Sequence, residues 1–476
     1  MSITNFFDGQ TIITEKNYPE AMAQAIGIEI ATIPVYLYTY YSINRVPDQD
    51  AIMQDLQERF MARKLNPLSW EEARAAAQKW SARVMVFANK AGATIVSVAI
   101  EEMLHMSLSA NVHQATIGPP QFVGQAPTTW PAYLPGHNPP FPINRAPLSL
   151  DQLYTLLQIE SPHKFDVQKQ ARDETPIGYD TIGEFYQGII DYLERNERTI
   201  VYDSNRPQLA PDNGYYAQNN INTNYYDIKH KPNFVNARDS GDLVSVHDFC
   251  TAKGALDIIR EQGEGATDAQ GFDPDGQPVC TAPTDADYDD KLDKELSHFA
   301  KFNQIWCILK NFENTMKVLL EDRDFDVKNY FVYNLPTNPS TSDYPENIQA
   351  VSNCLNAVYA YVFLMSQSCY NVDQPVQYEI FMGGIHKTMM WILGSLCETI
   401  VTMTYVDKDG VTKNAAPTFE EYAFNAASSP KSQIQALCKT MMAMNPTMQS
   451  NACSRIDSLP NIPLNGDPDP STTIFA

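Results

Sequence analysis

The stretch Ile95-Val-Ser-Val-Ala-Ile-Glu101-Glu102-Met-Leu-His105-Met-Ser-Leu108 decides how this chain is read. It is apolar for two turns, then sets two carboxylates and an imidazole among residues that belong in a core. Charged side chains are seldom buried unless they are paired or bind a cation. The run has the length and spacing of a helix. On a helix Glu102 and His105, three residues apart, share one face and can chelate one ion. Outward from this segment, the helix is predicted to start near Ser69, with Glu71 and Glu72 in its first turn. It runs to about Ala115, before Gly118-Pro119-Pro120 stops it.

The same string recurs twice. Glu295-Leu-Ser-His298 lies in Leu292 to Trp306, which also reads as helical. Glu160-Ser-Pro-His163 contains Pro162 and closes a short helix, so its side chains need not share a face and it reads as coincidence. Two further glutamates stand out. Glu29 sits in the apolar run Ile26 to Tyr36, inside a helix expected over Pro19 to Ile43 and kinked near Ile30 by Pro34. Glu261 ends the apolar stretch that begins at Ala255, with Glu264 a turn later as the alternative. The order is one Glu, a Glu-x-x-His, one Glu, a Glu-x-x-His, which is the ligand order of two-metal carboxylate helix bundles. The expected metal ligands are therefore Glu29, Glu102, His105, Glu261 (or Glu264), Glu295 and His298, with Glu102 and Glu295 bridging. Carboxylates with imidazoles suit two ions of iron, with manganese or a mixed pair as the other choices.

Composition narrows the rest. The chain has 476 residues, 43% of them hydrophobic, and a formal net charge of −23. That charge argues against nucleic acid and anionic membranes as partners. No uninterrupted apolar run of about 18 residues and no secretory signal at Met1 to Gln10 are found, so neither a membrane span nor export is expected. None of the eight cysteines forms a Cys-x-x-Cys pair, and several lie on apolar helical stretches. They read as reduced thiols of a cytoplasmic protein, with Cys438 and Cys453 as the pair that could bridge. Further helices are expected over Ser149 to Ile159, Thr181 to Glu197, Ser245 to Gln262, Asp287 to Leu320, Tyr344 to Ser368, Val376 to Tyr405 and Phe419 to Met442. The division expected is a bundle over 1–325, carrying an insertion over 118–242, and a C-terminal helical region over 326–476. Tyr36, Tyr38, Tyr40, Tyr41, His386 and the stripe Met382, Met389, Met390 read as core and rim, and Glu101 as a solvated or outer charge.

At these residues the chain resembles the ferritin-like domain of the iminophenylpyruvate dimer synthase type, found in bisindole pigment biosynthesis. The likeness is carried by Glu29-Ile-Ala-Thr-Ile-Pro-Val-Tyr-Leu-Tyr, Glu101-Glu-Met-Leu-His105-Met, Thr181-Ile-Gly-Glu-Phe-Tyr186, Glu261-Gln-Gly-Glu-Gly265 and Ser297-His-Phe-Ala-Lys-Phe302, with Gly384-Ile-His-Lys-Thr-Met-Met-Trp391 late in the chain. The resemblance implies an all-α, ferritin-like four-helix bundle with a long insertion between helices 2 and 3 and additional C-terminal helices. It also implies a non-haem di-metal oxidoreductase that uses dioxygen on a small organic substrate, amino-acid-derived or aromatic. The alternative is a ferroxidase or metal-storage protein. The substrate, the electron donor and the oligomer are left open.

Overall fold

The computed structural model describes residues 13–162, 176–210, 243–263, 271–280 apart from 274, and 296–468 apart from 449. The fold is all-α, with one small hairpin among the described residues. Helix α1, Tyr18–Tyr41, is buried along nearly its whole length and carries Pro34 inside it without a break. Helix α2, Gln49–Met61, was not expected from the sequence. Its signals are Asp48, which accepts from the backbone N–H groups of Asp50 and Ala51, and Ile52, Leu56 and Phe60, buried at four-residue spacing. Helix α3, Trp70–Thr116, is 47 residues long and opens with a capping box in which Ser69 and Glu72 satisfy each other's backbone N–H groups.

The insertion contributes α4, Leu150–Ile159, capped by Ser149, and α5, Ile182–Arg195, capped by Thr181. Helices α6, Phe249–Gly263, and α7, His298–Leu320, complete the layer around the site. α1 packs along α3, α4 against α7, and α3 also meets α6 and α7. Phe299 and Phe302 fix α7 in this core, both fully buried. Truncating either to alanine should cost about 3–5 kcal/mol. The insertion is tied down by polar side chains of α1 and α3. Gln24 donates to the carbonyls of Pro135 and Ile177 at 2.9 and 2.8 Å, and Asn111 donates to those of Leu209 and Val244 at 2.8 and 2.9 Å.

The C-terminal region holds α8, Glu346–Cys369, then two π-helical stretches, Glu379–His386 and Thr388–Leu393, and α9, Gly394–Ile400. Strands β1, Thr404–Val406, and β2, Thr412–Asn414, pair antiparallel with Tyr405 opposite Lys413. Helices α10, Pro430–Met444, and α11, Ala452–Asp457, follow. Two expectations change here. The helix expected over Val376 to Tyr405 is π-wound for most of its length and stops at Ile400. The helix expected from Phe419 starts at Pro430, because Ser429 caps it and Pro430 takes the first helical position.

A further expectation is corrected. Cys280–Cys307 and Cys438–Cys453 form disulfides, with Cα–Cα separations of 5.7 and 5.6 Å, so the thiols are not all reduced. The sequence hid the first pair because 27 residues separate its members. Three helices, Tyr18–Tyr41, Trp70–Thr116 and Glu346–Cys369, are long and apolar enough to cross a membrane, although no unbroken apolar run announces them. Between 83% and 94% of their most apolar windows is buried by the rest of the fold, so this apolar surface serves packing.

Candidate metal centre

Helix α1 brings Glu29 to the middle of the core, 2% exposed, and α3 brings Glu102 and His105 beside it. His298, with no exposed surface, is the first residue of α7. Ser297 before it is extended and caps the helix through the N–H of Ala300. Glu295, and with it the helical face expected for Glu295 and His298, lies outside the described residues. Glu264 and His163 also lie outside them. Glu261 is exposed on α6. The next residue, Gln262, about 100° further round the helix, points in instead and accepts from His105 Nε2 at 2.9 Å.

The third carboxylate is Glu160, whose motif reads as coincidence in the sequence. α4 ends at Ile159, and Glu160 leaves the helix with its side chain 3% exposed, turned towards His298. Position along the chain was the available signal, since Glu160 directly follows α4, which packs on α7.

One arrangement repeats at all three carboxylates. Each gives one oxygen to a hydroxyl donor and turns the other to an imidazole. Glu29 Oε1 accepts from Tyr186, and its Oε2 lies 3.8 Å from His105 Nδ1. Glu102 Oε2 accepts from Thr32 at 3.0 Å, and its Oε1 lies 3.8 Å from His105 Nδ1 and 2.8 Å from His298 Nδ1. Glu160 Oε1 accepts from Tyr36, and its Oε2 lies 3.6 Å from His298 Nδ1. The two imidazole rings stack with centroids 5.2 Å apart. Each uses its other nitrogen outward: His105 Nε2 on Gln262, and His298 Nε2 on Glu101 Oε2 at 2.8 Å, where Lys301 also donates at 2.6 Å. Outer acceptors of this kind fix the tautomer and leave Nδ1 to face the carboxylates.

The electrostatics are those of a site short of positive charge. Burial, with the Glu102 carboxylate beside it, raises the Glu29 pKa well above the ordinary range. Burial and Glu102 likewise raise that of Glu160. Glu102 is buried too, but contact with His298 outweighs burial and holds it down at about 2. Burial disfavours a charged His298, yet the carboxylates around it, Glu160 foremost, push its pKa well up. His105 goes the other way, lowered to about 4 by burial, with Glu102 opposing. The Lys301 charge is taken up by Glu101, held at about 2 against burial by Lys301 and His298.

These residues fit a metal. His298 Nδ1 is buried and, despite its 2.8 Å approach to Glu102, has no partner in hydrogen-bond geometry. The Nδ1 of His105 faces two carboxylate oxygens rather than a donor. Ligand atoms of Glu102, His105 and His298 all lie within 4.8 Å of one another. A divalent cation supplies the charge that converging lone pairs lack.

A ferritin-like family model matches residues 22–307, well over half of the chain, and the chain belongs to the ferritin-like family. Among solved structures, a ferritin-like protein from Caulobacter vibrioides is similar at 17% identity, covering 80% of this chain and 95% of that one with a TM-score of 0.40. No curated protein matches the chain. Fold, family and ligand group together fit a metal-binding ferritin-like protein.

Proposed function

We propose that this chain is a metal-dependent oxidoreductase whose centre takes two ions, iron first and manganese or a mixed pair next. Glu29, Glu102 and His105 would hold one ion, and Glu160 and His298, with Glu102, would hold the other. The observation that carries this reading is the repeated division of the carboxylates, one oxygen on a hydroxyl and one towards an imidazole. When bound, a redox-active pair supplies electrons to dioxygen.

The protein's own groups do the rest. Tyr186, Thr32 and Tyr36 hold the carboxylates in place by their hydroxyls. Gln262 and Glu101 orient the imidazoles. The apolar walls of α1 and α3 keep water out, which strengthens every charge interaction inside. The substrate is a small organic molecule, and the likeness to the iminophenylpyruvate dimer synthase type favours an amino-acid-derived one. The same ligands would serve a ferroxidase or a storage protein. An apolar cavity lined by Ile33 and Met106, one turn beyond Glu29 and Glu102 on their helices, favours the organic substrate.

The test is to load the full chain anaerobically with iron(II), admit air, and follow oxygen uptake with and without a panel of aromatic amino-acid-derived compounds. Uptake that depends on one compound, with an oxidised product by mass spectrometry, is expected. Fast iron oxidation without any such compound, together with assembly into a closed cage, would establish the storage reading instead.

A further inference from the structure

The apolar cavity beside the metal centre lies between α3 and the C-terminal helices. Met103 and Met106 come from α3, Tyr359 and Phe363 from α8, and Phe381 and Met389 from the two π-helical stretches. π-Helical turns are rare and recur at functional sites; here they form one wall. The lining is rich in rings and thioethers, which pack well on the face and edge of an aromatic ligand.

The polar groups of the wall are nearly all accounted for. Ser107 and Ser366 donate to their own helices, to the carbonyls of Met103 and Val362, both at 2.9 Å. Tyr370 donates to the carbonyl of Ser107 at 3.2 Å. Tyr359 differs. It is 2% exposed, its ring is held edge-on by Phe363 and Phe419, and its buried hydroxyl has no hydrogen-bond partner among the described residues. An unmade bond at such a site is expensive unless a ligand or water completes it. No Asp, Glu, Lys or Arg lines the cavity, and its one imidazole, His386, packs edge-on against Trp391 and is kept neutral by burial, which lowers its pKa. Arg145, whose charge is felt at Tyr359, does not line the cavity: its Nη2 donates to the Pro339 carbonyl at 3.1 Å, its guanidinium lies 4.6 Å from the centre of the Trp130 ring, and its Nε and Nη1 are buried with no partner among the described residues. The free volume of about 60 Å³ takes a few waters. It is below the roughly 150 Å³ of a cavity that binds benzene. The flexible side chains of Met103, Met106 and Met389 are the part of the wall that yields to a ring.

We propose that this cavity binds a neutral, single-ring aromatic molecule bearing one hydrogen-bonding group, which the Tyr359 hydroxyl holds. Naming that molecule as the substrate rests on the oxidoreductase reading; its binding does not, and is measured on the full chain both with and without added metal. Calorimetric titrations with phenol, toluene and benzoate form the test. Phenol is expected to bind about fivefold tighter than toluene, the worth of one net hydrogen bond, and benzoate at least tenfold weaker than phenol, since no cation meets it. Tyr359→Phe should bring phenol to the toluene level and leave toluene unchanged. Met389→Trp, which fills the cavity, should abolish both. Equal binding of phenol and toluene by the unsubstituted chain would overturn the proposal, as would tightest binding of benzoate, no binding at all, or binding that survives Met389→Trp. Because metal plays no part in these readings, a failure here leaves the metal centre standing, and a chain that binds phenol but no metal would sink only the oxidoreductase reading.

Discussion

His105 and His298 stand in the same relation to their surroundings, although they come from different helices. Each faces two carboxylate oxygens with Nδ1 and anchors Nε2 on an outer acceptor. The outer acceptor matters because it decides which nitrogen keeps its lone pair. Gln262→Ala removes it from His105 while leaving the core packing untouched. Metal affinity should then fall by roughly 10- to 100-fold, with an unchanged circular dichroism spectrum, as read by competition with a chelating dye. Glu29, Glu102, His105 and His298 were legible in the sequence because a carboxylate or imidazole in an apolar run is costly to bury without a partner or a metal. Glu160 was hidden by Pro162, since a rule about shared helical faces discards a carboxylate that stands at a helix end. Glu261 drew attention as the last residue of an apolar stretch, and a rotation of one residue gave its place to Gln262.

At the scale of elements, caps were the clearest signal. Ser69, Ser149 and Thr181 each begin a helix within a residue of the expected start. The π-helical wall was not legible, because over so short a run its wider period cannot be told from that of an α-helix. One turn of the insertion can be tested directly. Gly136 has φ +80°, and a Cβ there would meet the Ile177 carbonyl oxygen at 2.0 Å. Gly136→Ala should cost about 2 kcal/mol or more, measured by urea unfolding. A second lock fastens the segment before α10 to α8. Glu420 accepts from Ser340 at 2.7 Å, from the Thr341 N–H at 3.1 Å and from Asn356 at 3.3 Å. Burial opposes its charge, but the Thr341 and Ser340 hydroxyls win and lower its pKa from the ordinary 4.5. A depressed carboxylate contributes fully above its unfolded pKa and loses that contribution as pH falls towards the folded one. Glu420→Gln should therefore lower the melting temperature at pH 7, and the gap to the unsubstituted chain should shrink as pH drops below about 4.5.

The whole molecule joins the bundle and the C-terminal region through one hydrophobic core that runs from Ile13 to Ile462. The family and the all-α class were legible from motif order and periodicity. Cys438–Cys453 was open to view as a pair that could bridge, but Cys280–Cys307 was not, because spacing says nothing about which thiols meet in space. A metal that binds the folded chain and not the unfolded one stabilises the whole: at a free concentration of 100 times its dissociation constant, by about 2.7 kcal/mol. Scanning calorimetry should show the melting temperature rising with iron(II) or manganese(II), under anaerobic conditions for iron.

Glu160, and not Glu261, is assigned to complete a metal centre with Glu29, Glu102, His105 and His298, and the proposed function stands on that assignment. Metal content by plasma mass spectrometry, on the chain as purified beside its Glu160→Ala and Glu261→Ala variants, tests it most directly. Two transition-metal ions per chain are predicted in the unsubstituted protein and in Glu261→Ala, with loss of at least one in Glu160→Ala. A metal-free unsubstituted chain after anaerobic loading, or loss in Glu261→Ala with full retention in Glu160→Ala, would contradict it.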